Sequence, residues 1–175
     1  RYVKGEVKDA GEALRGARDI IAEVVSEDEQ TRQQVRNAFA RQAVLSARLV
    51  KGKEAEAANY RDYFDCSEPL RRCSSHRLLA MRRGEAEGLL RVSIAPNEAR
   101  CIEQLERHYV RGRGGSSRQV QEAVEDAYKR LLRPSMENEF AALSKQQADA
   151  EAIRLFAQNL RQLLLAPPLG QLRVM

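Results

Sequence analysis

The sequence predicts a mainly α-helical fold: a multi-helix domain with at most one small β-strand pair in its middle, about residues 46–50 and 89–94. Three observations predict it. Apolar residues recur three and four positions apart along most of the chain, the period of a helix that buries one face. Charged residues make up 31% and aromatics 5%, with no tryptophan, a balance suited to charge-coated helices. Only two short runs carry the character of a strand.

Ala10, Ala13, Leu14, Ala17, Ile21 and Val24 share one face, so residues 9–25 read as an amphipathic helix. Ser26-Glu27-Asp28-Glu29 has the form of a capping box, in which serine and glutamate side chains satisfy the free amides of a new helix. That helix carries Val35, Phe39 and Gln42 on one face and fades near Ala43. Residues 46–50 are the first strand candidate. In the second, Val92 and Ile94 face one way and Arg91 and Ser93 the other, and the two strands can pair around what lies between them.

Gly52, Gly84, Gly88 and Pro96 punctuate this middle region as turns, and residues 76–83 read as a short helix stopped by Gly84. Asn97 then caps a helix to about Tyr109, and R-G-R-G-G-S makes a loop. A second capping box at Ser116–Gln119 opens a helix with Val120, Val124, Ala127 and Leu131 in one stripe, broken by Pro134. The last helices are expected to bury Met136, Phe140 and Leu143, then Ile153, Phe156, Leu160, Leu163 and Leu164, before Ala166-Pro167-Pro168 ends them. No internal repeat is visible.

At 175 residues the chain is long enough for a real core, and its start at Arg1 and finish in L-R-V-M read as a piece cut from a longer protein. No run of about 18 apolar residues offers a membrane span. Three cysteines do not make a secreted disulfide framework, which points to the cytoplasm. The net charge of +5 is uneven: residues 71–118 hold eleven arginines, no lysine and five glutamates, a local +6 that leaves the rest at −1. A local arginine excess suits a phosphate-contacting surface, and it equally suits the solvated faces of ordinary helices.

Candidate chemistry is sparse. Cys66, Cys73 and His76 lie close in sequence, but a structural zinc takes four ligands in two close pairs, and only Cys101 and His108 remain to complete a set. Idle or buried cysteines are the better reading, and no metal or cofactor is expected. No nucleophile, base and orienting group stand at a recognisable spacing, so no enzyme and no catalytic residues are expected. R-G-R-G-G can fold onto RNA or serve as a plain inter-helix loop. The helices around it, within 97–132, allow a helix-turn-helix-like unit, although the loop is long and Glu122, Glu125 and Asp126 would repel phosphates.

The segments K-G-K-E (51–54), D-Y-F (62–64), E-P-L (68–70), S-H-R (75–77) and R-G-x-x-E-G (83–88) follow one another in a definite order. They are preceded by G-A-R-D-I-I-A-E-x-x-S-E-D (16–28) and followed by D-A-Y-K-R-L (126–131) and E-A-I-R-L-F-A-Q-N-L-R-Q-L-L-L-A-P-P-L-G (151–170). In these the chain resembles the Tex family of bacterial transcription accessory proteins. The resemblance implies that residues 1–165 are a central helical region and 166–175 the lead-in to a ribonuclease-H-like (YqgF) domain, with helix-hairpin-helix and S1 modules further on. It implies a partnership with nucleic acid, RNA mainly through the S1 module, and with RNA polymerase or other transcription proteins. The three cysteines lie outside the family motif, and residues 95–117 match it poorly.

Under that resemblance this piece is a scaffold with auxiliary phosphate contacts. The residues expected to make them are Arg71, Arg72, Arg77, Arg82 and Arg83, with Lys51 and Lys53 as weaker candidates, in a positioning role rather than a base-reading one. The alternative is a purely architectural or protein-docking helical module.

Overall fold

Asp9 opens the first helix by accepting a hydrogen bond from the Glu12 amide at 2.7 Å, satisfying one of the free donors at a helix start. The computed structural model describes residues 9–112 and 114–166; the expected lead-in at 166–175 lies, beyond Ala166, outside them. Six α-helices and a three-stranded antiparallel sheet follow in the order α1 (Ala10–Glu27), α2 (Glu29–Gln42), β1 (Val44–Leu49), β2 (Asp65–Pro69), α3 (Ser75–Ala86), β3 (Leu90–Ala95), α4 (Glu98–Tyr109), α5 (Gly115–Asp126) and α6 (Arg133–Leu164). The mainly α expectation holds. Short 3-10 segments at Ala58–Tyr63 and Leu70–Arg72 flank β2.

The two expected strands pair antiparallel, Leu45 opposite Ile94 and Ala47 opposite Val92. The sheet has one strand more than expected, for β2 adds to the other side of β1 to give the order β2-β1-β3. D-C-S-E-P carries no apolar alternation because its inward positions are Cys66 and Glu68, so nothing in its hydropathy marks a strand. Its closing Pro69 suits the end of an edge strand, where no ladder amide is needed.

Several local signals act differently from their expected roles. Asp28, not Ser26, caps α2 by accepting from the Thr31 amide at 2.8 Å, and Ser26 donates to the Glu23 carbonyl within α1. Gln42 is exposed, while Val35 and Phe39 are buried. Gly84 does not stop α3 but lies inside it, buried against Leu90 of β3 and Tyr60. The turn falls at Gly88, whose φ of +68° a side chain would strain. α5 starts at Gly115 with Gly114, not Ser116, as its cap, and the next serine, Ser117, donates to the Arg111 carbonyl at 2.8 Å. Asn97 caps α4 as expected, accepting from the Arg100 amide at 3.0 Å.

Pro134 does not break the chain's last helix. Residues 127–132 form a π-helical turn that joins α5 to α6 without interruption. The wider turn relaxes the clash that a proline ring makes with the carbonyl four residues back. It also shifts the helical stripe by one residue, which is why Leu132 is fully buried and Leu131 only half-buried.

The core gathers Val25, Val35, Phe39, Leu45, Met81, Ile94, Leu105, Tyr128, Leu132 and Met136 from α1–α4, the 127–132 turn, α6 and the inner sheet face. A satellite of Ala57, Tyr60, Leu89 and Leu90 fills the space under the β1–β2 connection. The expected burial fails along the far half of α6: Ile153, Phe156, Leu163 and Leu164 are 70%, 68%, 75% and 75% exposed, and Leu143 and Leu160 also face solvent. At about 1.5 Å per residue the 32 residues of α6 run roughly 48 Å, further than the rest of the described fold reaches to cover them. No helix among the described residues is long and apolar enough to cross a membrane.

Candidate nucleic-acid interface

The seven cations singled out from the sequence separate into two groups. Arg71 and Arg72 occupy the exposed 3-10 turn that leaves β2, Arg83 is exposed on α3, and Lys51 is exposed in the turn after β1. None of these four makes an ion pair within the described residues. Lys53 is 4.0 Å from Glu56, a loose surface contact.

Arg77 and Arg82 are turned toward the protein instead. Arg77 crosses from α3 to the inner side of β2, where its Nη2 donates to Cys66 Sγ at 3.3 Å and its Nε lies 3.1 Å from Glu68 Oε1, an ion-pair distance without hydrogen-bond alignment. Its guanidinium also sits 5.8 Å from the Tyr63 ring centre. The sulfur and the Glu68 carboxylate raise the Arg77 pKa, so the group is a fixed cation. Arg82 holds Glu85 at 2.6 Å with its side chain only 15% exposed. Both arginines are thus paired within the fold, with the Arg77 side chain still 39% exposed.

The expected helix pair around residues 110–114 is present, but α5 packs on both α1 and α4. Its acidic side chains are paired at home: Glu122 with Arg18 and Arg118, Glu125 with Lys129, and Asp126 with Arg130. Arg113 of the R-G-R-G-G loop lies outside the described residues.

The three cysteines are free thiols, Cys66 and Cys73 half-buried and Cys101 buried. Burial, then the Glu68 carboxylate, pushes the Cys73 thiol up to about 12, so it stays protonated at neutral pH. Burial likewise raises Cys101. His76 is exposed, and among the described residues no three His, Cys, Asp or Glu side chains gather to hold a metal ion.

Exposed cations outside the seven singled out from the sequence include a cross-strand pair. Arg48 of β1 and Arg91 of β3 stand opposite each other in the strand register. The signal was there in the alternation of V-L-S-A-R-L and L-R-V-S-I-A, which places both on the sheet face away from the core.

With the geometry in place, comparison with known proteins shows what the chain is similar to. The family described as Tex central region-like matches residues 1–156. The chain belongs to the Tex family. Protein tex of Bordetella pertussis is 35% identical over 181 residues, and the transcriptional accessory protein Tex of Neisseria gonorrhoeae 34% over 177, covering 95% and 98% of this chain. The human S1 RNA-binding domain-containing protein 1 is 27% identical over 185 residues, 95% of this chain and 18% of its own length. The chain spans 23% of the length of the two bacterial Tex relatives, so it corresponds to one part of a Tex protein. In this Tex-family chain the matched region ends part-way along the exposed half of α6.

Proposed function

We propose that this chain is the helical scaffold of a longer Tex-like transcription accessory protein, and that it does no chemistry of its own. The longer protein binds nucleic acid, RNA mainly through an S1 module outside this sequence, and works in the cytoplasm beside RNA polymerase or other transcription proteins. The names of the relatives support the transcription and RNA-binding context. Within the piece, Arg71, Arg72 and Arg83, with Lys51, are free to add phosphate contacts. Arg77 and Arg82 serve the fold first.

The observation that carries the scaffold reading is the far half of α6. Contiguous apolar patches of this kind on a soluble protein mark a surface that something covers. Ile153, Phe156, Leu160 and Leu163 recur at helical spacing, the pattern of a helix seated in an apolar groove. The test is hydrogen exchange along residues 150–164, measured in this chain and in the longer protein. Protection that rises in the longer protein supports the scaffold; equal, fast exchange in both rules it out. A second reading, a module that docks a separate transcription protein, draws on the same helix and on the home pairing of Arg77 and Arg82. It predicts that the partner, not the longer chain, brings the protection.

A further inference from the structure

Strand register fixes what the outer face of the sheet displays. Asp65, Arg48 and Arg91 form one row across β2, β1 and β3. Ser67, Ser46 and Ser93 form the next, and Pro69, Val44 and Ala95 the last. Arg48, Asp65, Ser67, Arg91 and Ser93 are exposed, and Ser46 at the centre is half-exposed.

The amide of Val50 donates to the Leu89 carbonyl at 3.0 Å, which sets the parity of the ladder and makes Arg48–Arg91 a hydrogen-bonded cross-strand pair. Its Cα atoms are therefore about 5.5 Å apart. Like charges directly opposite each other are unfavourable in a sheet. Nothing in the described residues relieves this one. Arg91 has no ion pair, and Arg48 has only Asp65 at 4.0 Å, with the two side chains 80% and 92% exposed. Such a contact contributes next to nothing in water. Two arginines thus leave the same sheet face from directly opposite positions, both exposed, beside a row of three serines in which Ser46 Oγ and Ser67 Oγ are 3.4 Å apart.

We propose that this face, centred on Arg48 and Arg91, binds the phosphodiester backbone of a nucleic acid without reading its sequence. A phosphate bridging the two guanidiniums cancels their repulsion and offers each the planar, two-oxygen partner that arginine prefers. Serine hydroxyls are the other common donors to phosphate oxygens, and their row lies about 7 Å further along the strands, two residues at roughly 3.4 Å each. Lys51 follows β1 at the arginine end of the face, and Arg71 and Arg72 follow β2 at the other, so exposed cations bracket the hydroxyl row. The face carries no aromatic ring, so base stacking contributes nothing and binding rests on released counterions. Choosing a nucleic acid over an acidic peptide rests on the transcription-accessory reading above.

The experiment is fluorescence anisotropy of the 175-residue chain with labelled oligouridylate, oligothymidylate and duplex DNA across a salt series. The Arg48→Ala/Arg91→Ala, Arg48→Lys/Arg91→Lys and Arg71→Ala/Arg72→Ala variants are run in parallel. Both sheet arginines are exposed, so unchanged melting curves check that the variants fold. The alanine pair is expected to lose about tenfold or more at low salt and to flatten the log–log salt slope on single strands by about 0.7, the share of the one bridged phosphate. The lysine pair is expected to keep the slope. The three probes report which nucleic acid supplies the phosphates. Unchanged binding in Arg48→Ala/Arg91→Ala, with loss in Arg71→Ala/Arg72→Ala, overturns the sheet face and leaves the auxiliary-contact reading standing. No binding by the wild-type chain at low salt overturns both, while hydrogen exchange along α6 still decides the scaffold. Equal binding of labelled polyglutamate, lost in the same alanine pair, makes the face an acidic-peptide surface and overturns the proposal.

Discussion

Gly84 of α3 lies so close to Leu90 of β3 that a Cβ built on it would fall 2.7 Å from Leu90 Cδ1 and 3.2 Å from Tyr60 Cδ1. The glycine is what lets the helix lie directly against the strand that follows it. In an ordinary helix interior, alanine gains about 0.8–1 kcal/mol over glycine. Here Leu90 is 2% exposed, so its side chain can give way only by shifting against buried neighbours. Gly84→Ala should therefore lower stability by a net of up to roughly 2 kcal/mol, because overpacking costs about 1–3 kcal/mol. Urea unfolding of the single variant and of Gly84→Ala/Leu90→Ala checks it. The double variant should show positive coupling, and additive losses would refute the contact.

Arg36 and Glu139 tie α2 to α6 through two parallel hydrogen bonds of 2.9 and 3.0 Å. The guanidinium holds the Glu139 carboxyl below its ordinary value. A carboxyl depressed on folding contributes stability above its unfolded pKa and loses it as pH falls through the lower, folded one. The contribution should thus be full near neutrality and disappear as pH falls from about 4.5 downward. Melting temperature against pH should fall less steeply in this range for Glu139→Gln than for the wild type. Asp28 adds to the same acid limb, since the Thr31 amide and hydroxyl lower its pKa as well.

Those two contacts show how far the sequence alone carries. Helical periodicity located α1 and α2, the Asn97 cap located α4, and period-two alternation the inner positions of β3. In α1 the expected stripe was the wrong one: Leu14 and Val24 are 50% and 62% exposed, and Ala22 and Val25 are buried instead. Periodicity failed where the inward residue is polar or absent. Glu68 hides β2, and Gly84 reads as a stop when it is a packing surface. It also failed at residues 127–132, where the π turn absorbs Pro134 and moves the stripe. The apolar half of α6 has the same pattern as a core helix, and a sequence cannot tell a stripe that this fold covers from one left for something else. For the interface, arginine density was legible, but whether a guanidinium faces water or a neighbour's carboxylate is decided by tertiary packing.

Arg77 and Arg82 should accordingly behave as structural residues. Arg77→Ala leaves Glu68 without its cation on the inner side of β2, and should lower the melting temperature by several degrees. Arg71→Ala/Arg72→Ala should leave it within about a degree, as expected of exposed positions away from any partner. Thermal melts of the two variants side by side decide this. Equal, negligible shifts would return Arg77 to the set of free cations.

The far half of α6 makes the opposite kind of prediction, a core-like sequence whose replacement costs this chain nothing. Ile153→Lys/Phe156→Lys removes two apolar side chains that are 70% and 68% exposed. No packing is lost in the isolated chain, so its stability should change by less than about 0.5 kcal/mol per site, as for other surface positions. Self-association at high concentration should fall, because the patch that copies would share is broken by charge. In the longer protein the same variant should loosen whatever seats on the helix, seen as faster proteolysis near residues 150–164. Urea unfolding, sedimentation velocity and limited proteolysis read the three effects separately. A large loss of stability in the isolated chain would mean that α6 folds back onto this domain and that its apolar stripe belongs to the core after all.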